Sequence, residues 1–198
     1  MARILVLYYS SYGHIAQMAD AVAEGVRQAG HECDVRRVPE TAPPEVAKAA
    51  GFVADHSHEL ISGIDALPQY DGLVIGAPTR FGRMPSQMAA FLDQAGGLWY
   101  TDALVGKAAA AFTSTAAQHG GQETTLVSMM LPIMHHGMLM VGLPYSEPEL
   151  TSTTSGGTPY GASHVAGSAD DRDITEEERK LCIALGRRLA ETALKLSA

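Results

Sequence analysis

Arg3-Ile4-Leu5-Val6-Leu7-Tyr8-Tyr9-Ser10-Ser11-Tyr12-Gly13-His14-Ile15 decides the architecture. Within the strand read over residues 3 to 9, Ile4 to Tyr9 form an apolar run without alternation, the pattern of a strand buried on both faces of a parallel sheet. The hydroxyl-bearing turn Ser10-Ser11-Tyr12-Gly13 follows at once. Beyond it Ile15, Met18, Ala19, Val22, Ala23 and Val26 recur at helical spacing until Gly30, a natural C-terminal stop. A strand that turns sharply into a helix aims backbone N–H groups and hydroxyls at one point by the helix N-terminus, where an anion is favoured. Neither Gly-x-Gly-x-x-Gly nor Gly-Lys-Ser/Thr occurs at this position, so a monophosphate is expected there rather than a dinucleotide or a nucleoside triphosphate. Taken alone, such a turn is more often only a helix cap.

The flanking chain extends the pattern. Cys33 to Val38 reads as a charged, peripheral strand, and Leu73-Val74-Ile75-Gly76 as a central one between the turn-forming pairs Asp71-Gly72 and Ala77-Pro78. Residues 39–70 contain short, weakly patterned pieces. Met88, Phe91, Leu92 and Ala95 predict a helix from Ser86 to Ala95, and Lys107 to Phe112 a small-residue strand followed by a polar loop to Gln122. A helix over 123–136, a short strand at Met138-Leu139-Met140-Val141 and a final amphipathic helix from Thr175 to Leu196 complete the order. That last helix opens on Thr175-Glu176-Glu177-Glu178, whose carboxylates favour a helix N-terminus. Strands alternating with helices imply right-handed crossovers and a doubly wound sheet with ligands at the carboxyl ends of its strands. Residues 145–173, rich in Ser, Thr, Gly and Pro, are too long for a mere connection and are expected to be disordered or to line a site.

Composition narrows the partners. The 198 residues, 46% of them apolar, suit one domain with one sizeable core, and the formal charge of −8 without a basic run argues against nucleic acid or an anionic membrane. Cys33 and Cys182 show neither a disulfide framework nor metal-ligand spacing, and no metal site is expected. No stretch reaches the roughly 18 apolar residues of a membrane span, and Ile4 to Tyr9 is too short for a secretory core. A cytoplasmic protein is expected.

Two further clusters follow strands at the same expected edge. Ala77-Pro78-Thr79-Arg80-Phe81-Gly82-Arg83-Met84-Pro85 offers backbone donors, a ring and two cations, and Thr113-Ser114-Thr115-Ala116-Ala117-Gln118-His119-Gly120-Gly121-Gln122 is small, polar and glycine-bearing. Three such loops at neighbouring strand ends make a binding crevice the simplest reading. Trp99 reads equally as core filling or as a functional ring. His135 and His136 point about 100° apart on a helix, so they do not form a metal pair.

Pro78-Thr79-Arg80-Phe81-Gly82 together with His135-His136-Gly137-Met138 resembles the WrbA family of flavodoxin-like NAD(P)H:quinone oxidoreductases, and the likeness covers nearly the whole chain. It implies a five-stranded parallel sheet in the order 2-1-3-4-5 with helices on both faces, and FMN as cofactor. Its phosphate would be held by Ser10, Ser11, Tyr12, Gly13, His14 and Ile15. Thr79, Arg80 and Phe81, with Ser114, Thr115, Ala116, Ala117, Gln118, His119 and Gly120, would border the ribityl chain and ring. The resemblance also implies a ring-side His135, Trp99 against the flat substrate, Tyr12 against the nicotinamide of NADH or NADPH, and a homotetramer whose neighbours complete each site. The third loop departs from the family pattern by carrying Ala116-Ala117-Gln118-His119 ahead of the glycines. The implied reaction is two-electron reduction of quinones by a ping-pong exchange. The alternatives are a one-electron carrier flavodoxin and an FMN-binding regulatory protein. No lysine lies in the first loop, so neutral donors are expected to hold the phosphate.

Overall fold

The computed structural model describes residues 1–54 and 57–197. Strand β1 (Arg3–Tyr8) lies between β2 (Glu32–Arg37) and β3 (Gly72–Pro78), and β4 (Ala108–Thr115) follows β3, all parallel. Helix α1 (His14–Gln28) connects β1 to β2. Between β2 and β3 lie α2 (Pro44–Ala49) and a short 3-10 helix over Ile64–Gln69, the weakly patterned region, of which Asp55 and His56 fall outside the described residues. Helices α3 (Ser86–Leu92) and α4 (Gly96–Tyr100), joined by a 3-10 turn, lead to β4, and α5 (Gln122–His135) leaves it.

Alternation along β1 explains the unbroken apolar run. Ile4, Val6 and Tyr8 face one side of the sheet with α1 and the C-terminal helix, while Leu5, Leu7 and Tyr9 face the other with α3 and α5. Both sides are dry, so there is no polar face to alternate with.

The expected order 2-1-3-4-5 is present with an additional strand, a correction to the five-stranded reading. The fifth position is shared by two segments: β5 (Leu139–Met140) pairs with Ala108 and Ala109 at the start of β4, and β6 (Ala162–Val165) pairs with Phe112 to Thr115 at its end. The intervening residues leave the sheet and include α6 (Glu149–Ser152). The stretch 145–173 is thus ordered structure. Strand β4 also runs three residues further than its apolar signal, because Thr113, Ser114 and Thr115 are buried between β3 and β6 with their hydroxyls satisfied internally. Thr113 donates to the Ala77 carbonyl at 2.7 Å and Thr115 to that of Ala117 at 2.8 Å.

Helix α7 (Glu176–Leu196) begins at a capping box in which the Thr175 hydroxyl accepts the Glu178 N–H and Glu178 accepts the Thr175 N–H. Its face of Leu181, Leu185 and Leu189 is fully buried, each residue contributing about 1.5–3 kcal/mol. Where α7 crosses α1 the backbones touch. A Cβ on Gly25 would lie 2.0 Å from the Ile183 carbonyl oxygen, and one on Gly186 2.0 Å from that of Val22. Among the described residues no helix is long and apolar enough to cross a membrane. Gly186→Ala is expected to cost about 2 kcal/mol and to lower Tm by about 4–8 °C in a thermal melt. Adding Gly25→Ala should cost less than the sum of the two, since both substitutions push the same helices apart.

Candidate functional site

The carboxyl ends of β1, β3 and β4 surround a cavity of about 190 Å³. The first wall is the turn after β1. Gly13 adopts φ 101°, a left-handed conformation that non-glycine residues rarely take, and its N–H donates to Ser10 Oγ at 3.0 Å. Ser10 and Ser11 are buried, and the N–H groups of the first turn of α1 have no carbonyl within the helix to bond. Ser10, Ser11, Tyr12, His14 and Ile15 all line the cavity, and Gly13 supplies the bend that brings them there.

Pro78, Thr79 and Arg80 form the second wall. The Thr79 N–H bonds the Ser114 carbonyl at 2.9 Å, and Thr79 Oγ1 accepts from the Gly82 N–H at 3.1 Å. Arg80 and Arg83 exchange backbone hydrogen bonds around Phe81 (φ 54°) and Gly82 (φ 77°), a tight turn with both central residues left-handed. Phe81 is fully exposed in this strained conformation. Ser114, Thr115 and Ala116 supply the third wall.

Other expected residues stand elsewhere. Gln118 and His119 border a separate cleft with Glu123 and Ser155, and neither Ala117 nor Gly120 lines the cavity. His135 ends α5, which starts near the cavity edge and runs back for 14 residues, roughly 20 Å. It therefore lies at the amino edge of the sheet, where the neighbouring Gly137 carbonyl bonds the Gly106 N–H ahead of β4. Trp99, 58% exposed on α4, sits just before β4 and so at the same far edge. A single chain does not bring His135 or Trp99 to its own cavity.

A larger hollow of about 590 Å³ opens behind the first loop, between β2 and α2. Its carboxylate is already engaged: Tyr9 donates to Glu40 at 2.5 Å, and Gln87 and the Thr41 and Ala42 N–H groups bond the same group. Burial pushes the Glu40 carboxyl up, but these donors outweigh it and hold it below the usual carboxylate range. The smaller cavity, with uncommitted donors at a helix N-terminus, is the better anion site.

The family model for NADPH-dependent FMN reductase matches residues 2–147. The chain belongs to this family. Among curated proteins, the chain is 56% identical over 198 residues to an NAD(P)H dehydrogenase (quinone) of Azorhizobium caulinodans, covering 99% of each. It is 54% identical to the protein of the same name from Acidovorax ebreus, covering 99% of this chain and 98% of that one. Solved structures share the fold: a flavodoxin, WrbA-like protein from Agrobacterium tumefaciens gives a TM-score of 0.67 at 24% identity over 98% of this chain and 99% of that one. The oxidised flavodoxin 1 of Bacillus cereus gives 0.61 at 17%, covering 98% of each.

The FMN reductase family match ends before β6 and α7, and the site residues missed in the sequence lie there. Ala166 and Asp170 line the cavity just past β6. Behind them the Glu178 carboxylate, wholly buried, accepts from His164 Nδ1 at 2.8 Å, from Ser155 Oγ at 2.8 Å, and from the N–H groups of Gly156, Val165 and Thr175. Burial pushes this carboxyl up, but His164 and the other donors hold it at about 2. Its spacing to Leu181 and Cys182, three and four residues on, was the available signal that it faces inward. Because the folded value lies below the ordinary 4.5, the ionised carboxylate stabilises the fold fully above that pH, and the stabilisation is lost as pH falls toward 2. Glu178→Gln is therefore expected to cost about 3 kcal/mol in urea denaturation at pH 7, with the gap to wild type closing steadily between pH 4.5 and 2.

Proposed function

We propose that the chain is an FMN-dependent NAD(P)H:quinone oxidoreductase working as one flavodoxin-like domain over residues 1–198. The observation that carries the reading is the convergence of three strand-end loops on one hydroxyl-rich cavity at the α1 N-terminus. Relatives more than half identical over their full length and named for that activity support it. The cavity fits the phosphate and polyol end of the cofactor. It has buried hydroxyls, free helix N–H groups and a glycine bend with nothing within 4 Å of where a Cβ would stand. At about 190 Å³ it is smaller than the roughly 300–1,000 Å³ that encloses a whole cofactor-sized ligand, so a flat ring needs walls from outside.

When bound, FMN supplies the two-electron redox chemistry, taking hydride from NADH or NADPH and passing two electrons to a quinone. Ser10, Ser11, Gly13, His14 and Ile15 bind the phosphate through hydroxyls and N–H groups. Thr79, Ser114 and Thr115 orient the polyol. Phe81, Ala116, Ala117, Gln118, His119 and Gly120 form the rim, and Arg80 holds a cation where negative charge builds up. The ring of Tyr12, 45% exposed and edge-on to Phe52 at 5.4 Å, offers a flat surface for the nicotinamide. Trp99 and His135 serve a neighbour's site in a homotetramer, Trp99 by stacking on the quinone and His135 by donating to its oxygen as charge develops. The exposure of Trp99, Tyr100, Leu131 and Met134 around that far edge supports such an assembly. The reading is of a cytoplasmic enzyme whose partners are small molecules and copies of itself.

Stopped-flow absorbance of the FMN-loaded protein tests the reaction. NADH is expected to bleach the flavin, benzoquinone to restore it, and steady-state double-reciprocal lines to run parallel. A flavin that NADH leaves oxidised favours a regulatory protein, and a long-lived one-electron form favours a carrier. Subunit sharing has its own test: chains carrying Ser10→Trp and chains carrying His135→Ala with Trp99→Ala should each be nearly inactive and regain about a quarter of wild-type activity when co-refolded. No recovery would remove the shared site.

A further inference from the structure

The first loop lacks lysine, yet a row of ionisable groups runs from the core to its edge. Glu178 Oε2 lies 2.8 Å from His164 Nδ1, His164 Nε2 lies 3.2 Å from His14 Nδ1, and His14 Nε2 lies 3.0 Å from Asp170 Oδ1. The His164 and Glu178 side chains have no exposure, that of His14 is 12% exposed and that of Asp170 45%. His14 is the first residue of α1 and lines the cavity. Among the described residues no group of three or more such side chains is placed to hold a metal ion, so protons must hold the row together.

Counting them gives the charge. Glu178, with its donors, is a carboxylate and only accepts, so His164 Nδ1 carries a proton. Asp170 is likewise an acceptor, so His14 Nε2 carries one. One more lies between His164 Nε2 and His14 Nδ1. Three protons on four ring nitrogens make one of the two rings an imidazolium. We propose that the buried Glu178–His164 pair positions His14 and holds one shared positive charge at the phosphate-binding loop, so that this histidine pair replaces the missing lysine as the cation of the site.

The balance of neighbours is explicit. Glu178 and Asp170 favour the charge from α7 and from the turn after β6. The α1 N-terminus, Arg80 across the cavity and Arg172, whose guanidinium bonds Ser155 at 3.2 Å, oppose it. Glu178 lies on the buried side, where its charge is least screened. Asp170, held at φ 57° on an exposed turn, is an internal anion that a phosphate must displace from His14 Nε2. His164 is a positioning residue here and His14 the binding one.

The inference rests on the FMN reading for its ligand but not for its charge, and the experiment separates the two. Long-range 1H–15N correlation spectra of the apoprotein at pH 7, assigned with His14→Gln and His164→Gln, should show one ring of the pair with both nitrogens protonated. Two neutral rings would overturn the proposal, and the wild-type spectra stand even if His164→Gln unfolds. FMN and riboflavin affinities of the apoprotein are then measured by flavin fluorescence at pH 7, above the second ionisation of the phosphate near 6. His14→Gln should lower FMN affinity about tenfold, the difference between a charge-assisted and a neutral hydrogen bond. Riboflavin affinity should stay level in the same variant, and Asp170→Asn should raise FMN affinity several-fold. An FMN affinity that His14→Gln leaves as level as that of riboflavin would overturn the proposal. If neither flavin binds, the FMN reading fails and the spectra alone decide the charge.

Discussion

Because Ile4 through Tyr8 are enclosed by helices on both faces of the sheet, the chain can gather polar groups only where β1 leaves it. A backbone N–H or hydroxyl buried without a partner costs more than a made hydrogen bond returns, so the dry strand must end before Ser10 and Ser11 begin. Parallel pairing then sets β3 and β4 to end at the same edge as β1. Three loops with different sequences therefore face one small volume. Gly13 completes the geometry by turning the chain through a conformation that a Cβ would oppose.

The last position of the sheet is filled in two instalments, and that division has a chemical consequence. If β5 had continued along the whole of β4, the edge beside Ser114 would have been closed by an apolar strand. Instead the chain leaves after Met140 and returns as β6, placing His164 inside the protein and Asp170 on the cavity wall. An imidazole cannot be buried in that position without an acceptor, and the capping residue Glu178 of α7 provides one. One carboxylate thus closes the first turn of α7 and satisfies the histidine behind the site. Removing it would disturb both, which ties the stability of the C-terminal helix to the electrostatics of the first loop.

Residues whose signal is local are legible in the sequence. Helix α1 was visible in Ile15, Met18, Val22 and Val26 because a long amphipathic helix repeats its pattern several times, and α7 because a capping sequence precedes such a repeat. The turn at Ser10 to Ile15 was visible because a buried strand, a hydroxyl turn and a helix follow one another within a few residues. The length of β4 was not, since Thr113 to Thr115 look like loop until neighbours on both sides bury them. Ala162-Ser163-His164-Val165 is four residues long in a polar stretch, and nothing in its own composition demands a strand.

By itself the sequence determined the alternating strands and helices of a parallel sheet, and the sharp hydroxyl-bearing turn between the first strand and the first helix. Those features depend on periodicity and turn chemistry, which act over a few neighbouring residues. The tertiary structure decided what meets across distance: that His14 touches His164 and Asp170, 150 and 156 residues later, and that Trp99 and His135 stand at the edge of the sheet away from the cavity. Such pairings depend on which chain segment fills the space beside β4. That choice is made by close packing of the whole core, and no local pattern encodes it.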